Sequence, residues 1–361
     1  MKNKKVMVGM SGGVDSSVAA ALLMESGYDV SGVTLRLYDG EDYEAGRTKT
    51  CCSLSDVEDA RLVCCKLGIK HYVFNFKERF ENSVINDFIS EYENGRTPNP
   101  CIVCNRRVKF GDMLERAKML GYDKIATGHY ARVETDENGR YLLRRPQDKN
   151  KDQTYVLYSM TQDQLSRTLF PLGEFSKPDV RKTAEKFGFV NASKPDSQDI
   201  CFVPDGDYAA FIERRAGKSP SGNFVDKNGN ILGKHNGVIR YTVGQRKGLG
   251  IALGKPAFVI DKDPVSNNVT LGGEDGLFYR SVFITDLNYI PFDDLKSEMR
   301  VTAKLRYRHA EQSAVLKPYS DSQAIITFEE PQRAPSPGQA AVFYNGDIVV
   351  GGGTIVKGLD R

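Results

Sequence analysis

A glycine-rich loop, Ser11-Gly12-Gly13-Val14-Asp15-Ser16, stands between an apolar run and an alanine-rich segment near the start of the chain. Residues 5–10 are apolar and rich in Val, which predicts a buried strand. Residues 16–26 are strong helix formers, and Gly27 stands where a left-handed C-cap is expected. The two glycines let helix N-terminal amides approach an anion closely, as a phosphate chain with a magnesium ion requires. No Gly-Lys-Ser/Thr follows them, so this is not a Walker A loop.

Strand-like and helix-like segments alternate over the first 205 residues. Predicted strands follow at 29–37, 71–76 and 124–127, and predicted helices cover 77–92, 109–120 and a segment opened by a capping box at 55–58. Such alternation predicts an α/β domain, residues 1–205, built on a doubly wound parallel sheet. A ligand is then expected at the carboxyl ends of the strands.

The pattern changes beyond residue 205. Short β-like runs and Gly/Asn turns predict a small central domain over 206–276. Apolar and polar residues then alternate with period two, which predicts an antiparallel barrel or sandwich over 277–361. No signal peptide and no stretch near the roughly 20 apolar residues of a membrane span is present. The sequence therefore predicts a cytoplasmic protein without a membrane partner.

Seven cysteines in 361 residues favour thiol chemistry or burial over a disulfide framework. Cys101 and Cys104 form a C-x-x-C framed by prolines that predict an extended loop before a helix. Cys104 would lie near that helix N-terminus beside two arginines, so we expect a lowered thiol pKa. Cys201 follows a polar segment at 196–199.

Three interpretations of these thiols stay open: half a zinc site, a thioredoxin-like dithiol, or a nucleophile paired with a sulfur carrier. The zinc interpretation lacks a second C-x-x-C or a His pair, and the prolines disfavour the dithiol. A four-sulfur site from Cys51, Cys52, Cys64 and Cys65 is weaker than simple core burial, because Cys64 lies on the apolar stripe of its helix. The basic clusters at 106–109, 140–151 and 300–308 fit phosphate contacts or solvated faces equally well.

The glycine loop resembles the pyrophosphate loop of the ATP-pyrophosphatase superfamily. An ordered set of segments over nearly the whole chain resembles the bacterial tRNA-specific 2-thiouridylase family. These segments are Gly9–Ser16, Gly95–Pro100, Cys104-Asn105, Thr127–Arg132, Lys151–Gln153, Asp196–Phe202, Tyr241–Gly250 and Arg306–Arg308. The resemblance implies a catalytic α/β domain, a small central domain and a C-terminal β-barrel.

The resemblance also implies an activity. Such enzymes use ATP with Mg²⁺ to adenylate the wobble uridine of tRNAs for Lys, Glu and Gln, and then replace its O2 with sulfur from a cysteine persulfide. The products are 2-thiouridine, AMP and pyrophosphate, the sulfur comes from a persulfide donor protein, and a monomer suffices. The rival readings are an ATP-pyrophosphatase acting on a small molecule and an RNA-binding protein with a relic nucleotide fold.

The resemblance implies a role for each matching residue. Cys201 would carry the persulfide and Cys104 would be the nucleophilic partner thiol. The residues implied for ATP are Gly9, Met10, Ser11, Gly12, Gly13, Val14, Asp15, Ser16, Leu35 and Gly128. Asn99, Pro100 and Cys101 would frame the target base, and tRNA contacts would come from His129, Lys151, Asp152, Gln153, Arg306, Tyr307 and Gln339. Cys101 stands where the family motif has an Asp proposed as acid or base, and since a thiol can also move a proton, Cys101 is a candidate for that catalytic role. No residue is assigned to a protein-held metal.

Overall fold

The computed structural model describes residues 4–38, 54–195 and 200–360. The chain divides into two compact units, the first of residues 1–85, 100–206 and 347–349, the second of residues 86–99, 207–346 and 350–361. Its strands are β1 (Lys5–Gly9), β2 (Asp29–Arg36), β3 (Lys70–Asn75), β4 (Lys124–Ala126), β5 (Arg132–Thr135), β6 (Tyr141–Arg144), β7 (Thr168–Leu169), β8 (Gly222–Val225), β9 (Ile231–His235), β10 (Phe258–Asp263), β11 (Asn268–Gly272), β12 (Phe278–Tyr289), β13 (Met299–Lys304), β14 (Gln312–Ser320), β15 (Gln323–Arg333), β16 (Ala340–Asn345) and β17 (Ile348–Leu359).

The α-helices are α1 (Val14–Glu25), α2 (Leu54–Leu67), α3 (Lys77–Phe80), α4 (Asn86–Glu93), α5 (Pro100–Val103), α6 (Met113–Met119), α7 (Gln162–Ser166), α8 (Lys177–Lys186) and α9 (Tyr208–Ala216). Within the described ranges, π-helical segments accompany them at Glu81–Ile85 after α3 and at Cys104–Asp112 between α5 and α6. Short 3₁₀ turns cover Lys149–Lys151, Thr154–Val156, Val238–Arg240 and Glu274–Leu277.

The first unit contains a five-stranded sheet in the order β3-β2-β1-β4-β7, and every pair in it is parallel. The chain runs outward from β1 through β2 to β3 and then returns to place β4 on the other side of β1. This reversal makes the β1–β4 boundary the topological switch point, where open parallel sheets bind their ligands. The predicted doubly wound parallel sheet is confirmed.

Side chains alternate across β1, as the two-residue period of a strand demands. Val6, Val8 and Met10 point into a core cluster that contains residues of α1, α2 and α8. A side chain at Gly9 would instead meet Met113 of α6 at 3.6 Å, on the other face. Both faces of β1 therefore pack against helices, and the glycine loop begins at its carboxyl end.

Two local predictions were wrong. The helix expected at 109–120 is present up to Met119, but its predicted start was wrong. The helical chain already begins at Pro100, because proline is well suited to the first helical position, where no amide hydrogen is needed. The capping box expected over 55–58 is out of register, since Ser55 already lies inside α2. The carboxylate of Glu58 accepts hydrogen bonds from Arg61 at 2.7 and 2.8 Å instead of reaching back to Ser55.

The second unit holds two β-structures. Strands β8 to β11 form a four-stranded sheet in the order β10-β11-β8-β9, with a parallel β11–β8 pair between two antiparallel ones. Strands β12 to β17 form a ring in the order β12-β15-β14-β13-β16-β17, closed by the antiparallel β12–β17 pairing. Its interior is filled by a buried cluster that includes Val282, Ile284, Leu316, Ile326, Phe328, Phe343 and Ile355. The C-terminal antiparallel β-barrel is confirmed, because closure of the ring excludes the sandwich.

Candidate active site

The glycine loop connects β1 to α1 as the sequence predicted. Gly12 has a φ of +71°, and Gly13 is the extended N-cap residue of α1. The hydroxyl of Ser16 donates to the carbonyl of Gly13 at 3.0 Å and accepts from the amide of Ser11 at 3.2 Å. The loop is thus tied to the first turn of a 12-residue helix, whose N-terminal amides and dipole suit an anion. Gly27 ends the helix with a φ of +82°.

Two glycines allow backbone segments to approach this loop. A Cβ on Gly12 would lie 2.5 Å from the carbonyl oxygen of Asp56. A Cβ on Gly128, two residues after β4, would lie 2.7 Å from both the carbonyl carbon of Asp15 and the amide nitrogen of Ser16. Gly128 therefore lies at the loop, across the β1–β4 switch point, as its predicted assignment to the nucleotide site requires.

Asp15 is held by two partners. Its carboxylate accepts from the ammonium of Lys177, with 2.8 Å to each oxygen, and from the hydroxyl of Tyr130 at 2.9 Å. The Lys177 side chain is only 9% exposed, so its charge is directed at the loop instead of at solvent. Lys177 stands at the start of α8, whose N-cap is Ser176.

A second lysine holds the outer side of the loop. The ammonium of Lys194 lies 2.5 Å from Asp56 and 2.8 Å from Asp59, and it donates to the carbonyl of Gly12 at 3.3 Å. Burial acts to lower the pKa of Lys194, but the hydrogen bonds to the two carboxylates outweigh it and the pKa is raised. The amide of Asn191 donates to the same Gly12 carbonyl at 2.9 Å. The loop conformation is fixed before any ligand arrives.

Sequence reasoning missed both lysines, although the sequence carries a signal for them. The tetrapeptide Ser-Lys-Pro-Asp occurs twice, at 176–179 and at 193–196, and Lys177 and Lys194 are the second residues of the two copies. A short repeat of this kind within 21 residues indicates two related positions. Each copy delivers its lysine to the glycine loop.

Met10 and Val14, both expected at the nucleotide site, are 2% and 3% exposed. Their side chains belong to the core cluster with α1 and α8, so only their backbone groups face the loop side. Leu35 lies near the carboxyl end of β2 and is half-buried, on the same edge of the sheet.

The C-x-x-C lies on a helix and not in an extended loop. Cys101 is in α5 and is exposed, whereas Cys104 opens the π-helical segment Cys104–Asp112 and is 7% exposed. Burial raises the pKa of the Cys104 thiol to about 11, with Lys109 opposing the shift and Cys101 adding to it. The expected lowering of this pKa was wrong, because desolvation of a buried thiolate exceeds the effect of arginines that stay at the surface.

Cys201 is half-buried, and contacts of its backbone and of the next residue hold it in place. Its carbonyl accepts from the hydroxyl of Tyr38 at 2.6 Å, and the next residue, Phe202, packs edge-on against Phe80. Residues 196–199 of the predicted Asp196–Phe202 segment lie outside the described residues. Cys201, Cys101 and Cys104 are thiols here, with no disulfide among the described cysteines.

Comparisons with known proteins place this architecture in a family. Family models match three ranges: the tRNA methyl transferase HUP domain at residues 4–205, the tRNA methyl transferase PRC-barrel domain at 209–273 and the aminomethyltransferase beta-barrel domain at 279–355. Proteins called tRNA-specific 2-thiouridylase MnmA align along nearly their whole length. Identity is 54% for Lachnoclostridium phytofermentans (98% of this chain, 100% of the relative), 56% for Acetivibrio thermocellus (98% and 100%) and 52% for Clostridioides difficile (99% and 99%). The chain belongs to the tRNA-specific 2-thiouridylase family.

Solved structures resemble this member of the family only distantly. A 4-thiouridine synthetase–RNA complex with bound ATP matches with a TM-score of 0.37 and 16% identity, over 58% of this chain and 50% of that one. A likeness at this level carries no functional argument.

The buried cysteine predicted on α2 of this thiouridylase is confirmed. Cys64 is 1% exposed, and burial raises its thiol pKa to about 11. Cys65 beside it is exposed, and Cys51 and Cys52 lie outside the described residues. Within the part of the chain that the structure describes, no cluster of three or more His, Cys, Asp or Glu side chains could hold a metal ion.

His129 follows β4 at the carboxyl edge, as predicted. Its Nδ1 is 2.8 Å from the hydroxyl of Thr127, and its ring stands beside those of Phe110 and Phe170. Burial, helped by the charge of Lys109, lowers the pKa of His129 well below its ordinary value. The ring is therefore neutral at neutral pH and provides no cation for a phosphate.

The Lys151–Gln153 segment supports the glycine loop indirectly. Gln153 accepts from the amide of Tyr130 at 2.8 Å, and the hydroxyl of Tyr130 reaches Asp15. Asp152 accepts from the amide and hydroxyl of Thr154 at 2.9 and 2.6 Å, whereas Lys151 is half-exposed at the end of a 3₁₀ turn. Their assignment to tRNA stays a prediction.

The second unit brings together two predicted site elements. The amide of Gln339 donates to the carbonyl of Thr97 at 2.8 Å, which fixes the extended segment that ends at Asn99. Arg306 donates from one nitrogen to the carbonyls of Val243 and Ala334 and to the hydroxyl of Ser336, at 3.2, 3.1 and 2.8 Å. Tyr307 is 41% exposed. These contacts give Arg306 a structural role, and the assignment of Tyr307 to tRNA stays a prediction.

No helix among residues 4–38, 54–195 and 200–360 is long and apolar enough to cross a membrane.

Proposed function

We propose that this chain is the enzyme that 2-thiolates the wobble uridine of tRNAs for Lys, Glu and Gln, with consumption of ATP. The uridine is first adenylated, with release of pyrophosphate, and sulfur from a cysteine persulfide then displaces AMP. The observation that best supports this proposal is that one compact unit contains two features. These are a glycine loop at the switch point of the sheet, held by the Lys177–Asp15 ion pair, and the helical segment that bears Cys101 and Cys104. Its relatives of 52–56% identity are called tRNA-specific 2-thiouridylases.

The glycine loop fits the phosphates of ATP. The space above Gly12 and Gly13 is bounded by the start of α1, and Gly128 leaves room at the adjoining strand. The hydroxyls of Ser11 and Ser16 lie 3.4 Å apart beside the N-terminal amides of α1. Lys177 would exchange part of its contact with Asp15 for a phosphate oxygen. A magnesium ion would neutralise phosphate charge, and Asp15 is the carboxylate of the loop suited to it. Leu35 would line the adenosine site.

Adenylation solves the chemical problem of the uridine C2 carbonyl, whose oxygen leaves poorly. The carbonyl oxygen attacks the α-phosphorus, pyrophosphate departs, and the oxygen can then leave with AMP. Sulfur reaches C2 by one of two routes. Either the terminal sulfur of the Cys201 persulfide attacks directly, or Cys104 first attacks the inner sulfur and releases hydrosulfide.

Both routes require the thiolate of Cys104 to attack the sulfur of Cys201. In each, a Cys104–Cys201 disulfide forms as the transferred sulfur leaves with its electron pair, and a reductant must restore the two thiols. Because burial raises the pKa of Cys104 to about 11, only a small fraction is thiolate at neutral pH. The attack by Cys104 is therefore expected to quicken as pH rises.

The remaining assignments belong to the same proposal. Asn99, Pro100 and Cys101 would frame the target base, and the tRNA contacts would come from His129, Lys151, Asp152, Gln153, Tyr307 and Gln339, with Arg306 supporting them. Domains over 1–205, 206–276 and 277–361 would supply the catalytic site and the tRNA surface. The chain would act as a cytoplasmic monomer that receives sulfur from a persulfide donor protein.

The deciding experiment is mass spectrometry of tRNA nucleosides after incubation with purified protein, ATP, Mg²⁺ and sulfide. We expect ATP-dependent gain of 2-thiouridine at the wobble position. With a persulfide donor instead of sulfide, Cys201→Ser and Cys104→Ser should both lose the product, while Cys65→Ser, an exposed thiol on α2, should keep it.

Other products would identify other functions in the same spectra. A methylated nucleoside would support the methyl transferase of the family-model descriptions. ATP–pyrophosphate exchange that ignores tRNA would support a small-molecule ligase. Near-normal thiolation by Cys104→Ser would refute the paired-thiol mechanism.

A further inference from the structure

In the proposed function only Cys104 of the C-x-x-C pair takes part in disulfide chemistry, and Cys101 has no redox role. Cys101 and Cys104 are three residues apart on the helical chain that begins at Pro100. Residues at this spacing share a helix face, with Cα atoms about 5 Å apart. That separation lies inside the range of roughly 4.4–6.8 Å found for disulfides. The Cα separation of the two cysteines is thus compatible with a disulfide.

The two thiols differ in their access to solvent. Cys101 is exposed, whereas Cys104 is 7% exposed. A thiol reductant must approach one sulfur of a disulfide in line with the S–S bond, so an exposed sulfur is attacked far faster than a buried one. A disulfide that includes Cys101 therefore offers an external reductant a target that Cys104 cannot offer.

We propose that Cys101 is the resolving thiol of the catalytic cycle, a role that rests on the proposed function. After sulfur transfer, the Cys101 thiolate attacks the Sγ of Cys104 in the Cys104–Cys201 disulfide. The Cys101–Cys104 bond forms, the Cys104–Cys201 bond breaks, and the electron pair leaves on Cys201, which takes up a proton. Cys201 is then ready for the next persulfide. An external dithiol reduces the Cys101–Cys104 disulfide and is itself oxidised to a disulfide.

The exchange requires a local shift of the backbone. Side chains three apart on a regular helix have Cβ atoms roughly 5–6 Å apart, and a disulfide needs about 3.5–4.5 Å, so the first turn must shift. The segment after Cys104 is held, because the buried Asn105 donates to the carbonyl of Val156 at 2.9 Å. The shift therefore falls on the short helix 100–103, which must move with its buried Pro100 and Ile102. Cys104 stands where this helix joins a π-helical segment.

The test compares one turnover with many in the full-length protein. Enzyme preloaded with persulfide is mixed with ATP, Mg²⁺ and excess tRNA, together with a persulfide donor that reloads Cys201 and a protein dithiol as reductant. We expect Cys101→Ser to form about one 2-thiouridine per enzyme and then to run at least roughly tenfold more slowly than wild type. Cys104→Ser should fail in the first turnover, and Cys65→Ser, exposed on α2, should match wild type in both phases.

Cys101→Asp separates the resolving role from an acid–base role. A carboxylate can move protons but cannot form a disulfide, so this variant should stall as Cys101→Ser does. If Cys101→Asp turned over at the wild-type rate while Cys101→Ser was slow, the proposal would be overturned. A Cys101→Ser enzyme with wild-type steady-state rate would also overturn it, provided that both variants melt at the wild-type temperature.

Acid-quenched samples with limiting reductant identify the bond directly. Cys101 and Cys104 fall in one tryptic peptide, residues 97–106, because trypsin cleaves after Arg96 and after Arg106. Wild type should show this peptide with an internal disulfide, and Cys101→Ser should show it linked to the Cys201 peptide. A wild-type sample that contains the Cys104–Cys201 disulfide but no Cys101–Cys104 disulfide would overturn the resolving role of Cys101. A wild-type enzyme that makes no 2-thiouridine at all would instead refute the proposed function.

Discussion

Lys177 places its ammonium 2.8 Å from each carboxylate oxygen of Asp15, in the first turn of α1. The side chains of Lys177 and Asp15 are 9% and 31% exposed, so the ion pair is largely shielded from solvent. The pair holds the carboxylate at the mouth of the glycine loop and keeps a cation where phosphates would bind. Its charges hold the loop, and under the proposed function they would also serve the binding of a nucleotide.

Replacement of Lys177 tests this double role. Lys177→Met leaves Asp15 without its cation, so we expect the free energy of unfolding to fall by roughly 1–3 kcal/mol, less than for a fully buried pair. Pyrophosphate release in the presence of tRNA should slow by about tenfold or more. Urea unfolding and a pyrophosphate assay measure the two effects. Lys182→Met, on the same helix but 78% exposed, is the control and should change neither. Equal behaviour of the two variants would contradict a role for Lys177 in the loop.

The glycine positions make a contrast within the predicted nucleotide site. A Cβ at Gly128 would lie 2.7 Å from two backbone atoms of the loop, whereas a Cβ at Gly9 would meet nothing closer than 3.6 Å. Gly128→Ala should therefore displace the loop and weaken ATP binding by about tenfold or more, and Gly9→Ala should fold and bind nearly as wild type does. Titration of a fluorescent ATP analogue measures both. Tighter or unchanged binding by Gly128→Ala would show that the loop does not contact the nucleotide.

The glycine loop, the parallel sheet and the β-rich C-terminal region could be predicted because their signals are local, whereas the choice between barrel and sandwich depended on the distant β12–β17 pairing. Alternating apolar residues and a Gly-Gly helix start specify strands, helices and their junction within a few residues. The partners of the loop could not, because Lys177 and Lys194 reach Asp15 and Asp56 across more than a hundred residues. The predicted lowering of the Cys104 pKa was wrong for the same reason. Burial is a property of tertiary packing, and the flanking arginines gave no sign of it.

The raised pKa of Cys104 predicts how sulfur transfer depends on pH. Below a pKa of about 11 the thiolate fraction grows by about tenfold per pH unit. The rate of 2-thiouridine formation, with ATP saturating, should therefore rise between pH 7 and pH 9, approaching that slope if the Cys104 step is limiting. Pyrophosphate release by Cys104→Ser, which reports adenylation alone, should be flatter over the same range. A thiolation rate that falls as pH rises would exclude Cys104 as the limiting nucleophile.

The same burial makes stability depend on pH. The thiols of Cys64 and Cys104 have pKa values raised to about 11, whereas the unfolded chain ionises them near the ordinary value of about 8.5. Their stabilisation is full below about pH 8.5 and is lost as pH rises towards 11, because only the unfolded chain releases the protons. Urea unfolding at pH 8 and pH 10.5 should show a smaller loss for Cys104→Ala than for wild type. The difference between the two proteins isolates the thiol, since Lys262, with a pKa lowered to about 8 by burial, acts in the opposite direction in both. Identical losses would mean that Cys104 ionises freely in the folded protein.

Arg306 and Tyr307 are neighbours in sequence but should respond differently to substitution. One guanidinium nitrogen of Arg306 bonds the carbonyls of Val243 and Ala334 and the hydroxyl of Ser336, whereas Tyr307 is 41% exposed. Arg306→Ala leaves these acceptors without their cation, so the free energy of unfolding should fall by about 1–3 kcal/mol. Tyr307→Ala should leave stability within about 0.5 kcal/mol and weaken tRNA binding through the loss of an exposed aromatic surface. Urea unfolding and filter binding of tRNA at fixed salt separate the two effects. An Arg306→Ala protein of wild-type stability with weakened tRNA binding would return Arg306 to the tRNA surface that the sequence predicted for it.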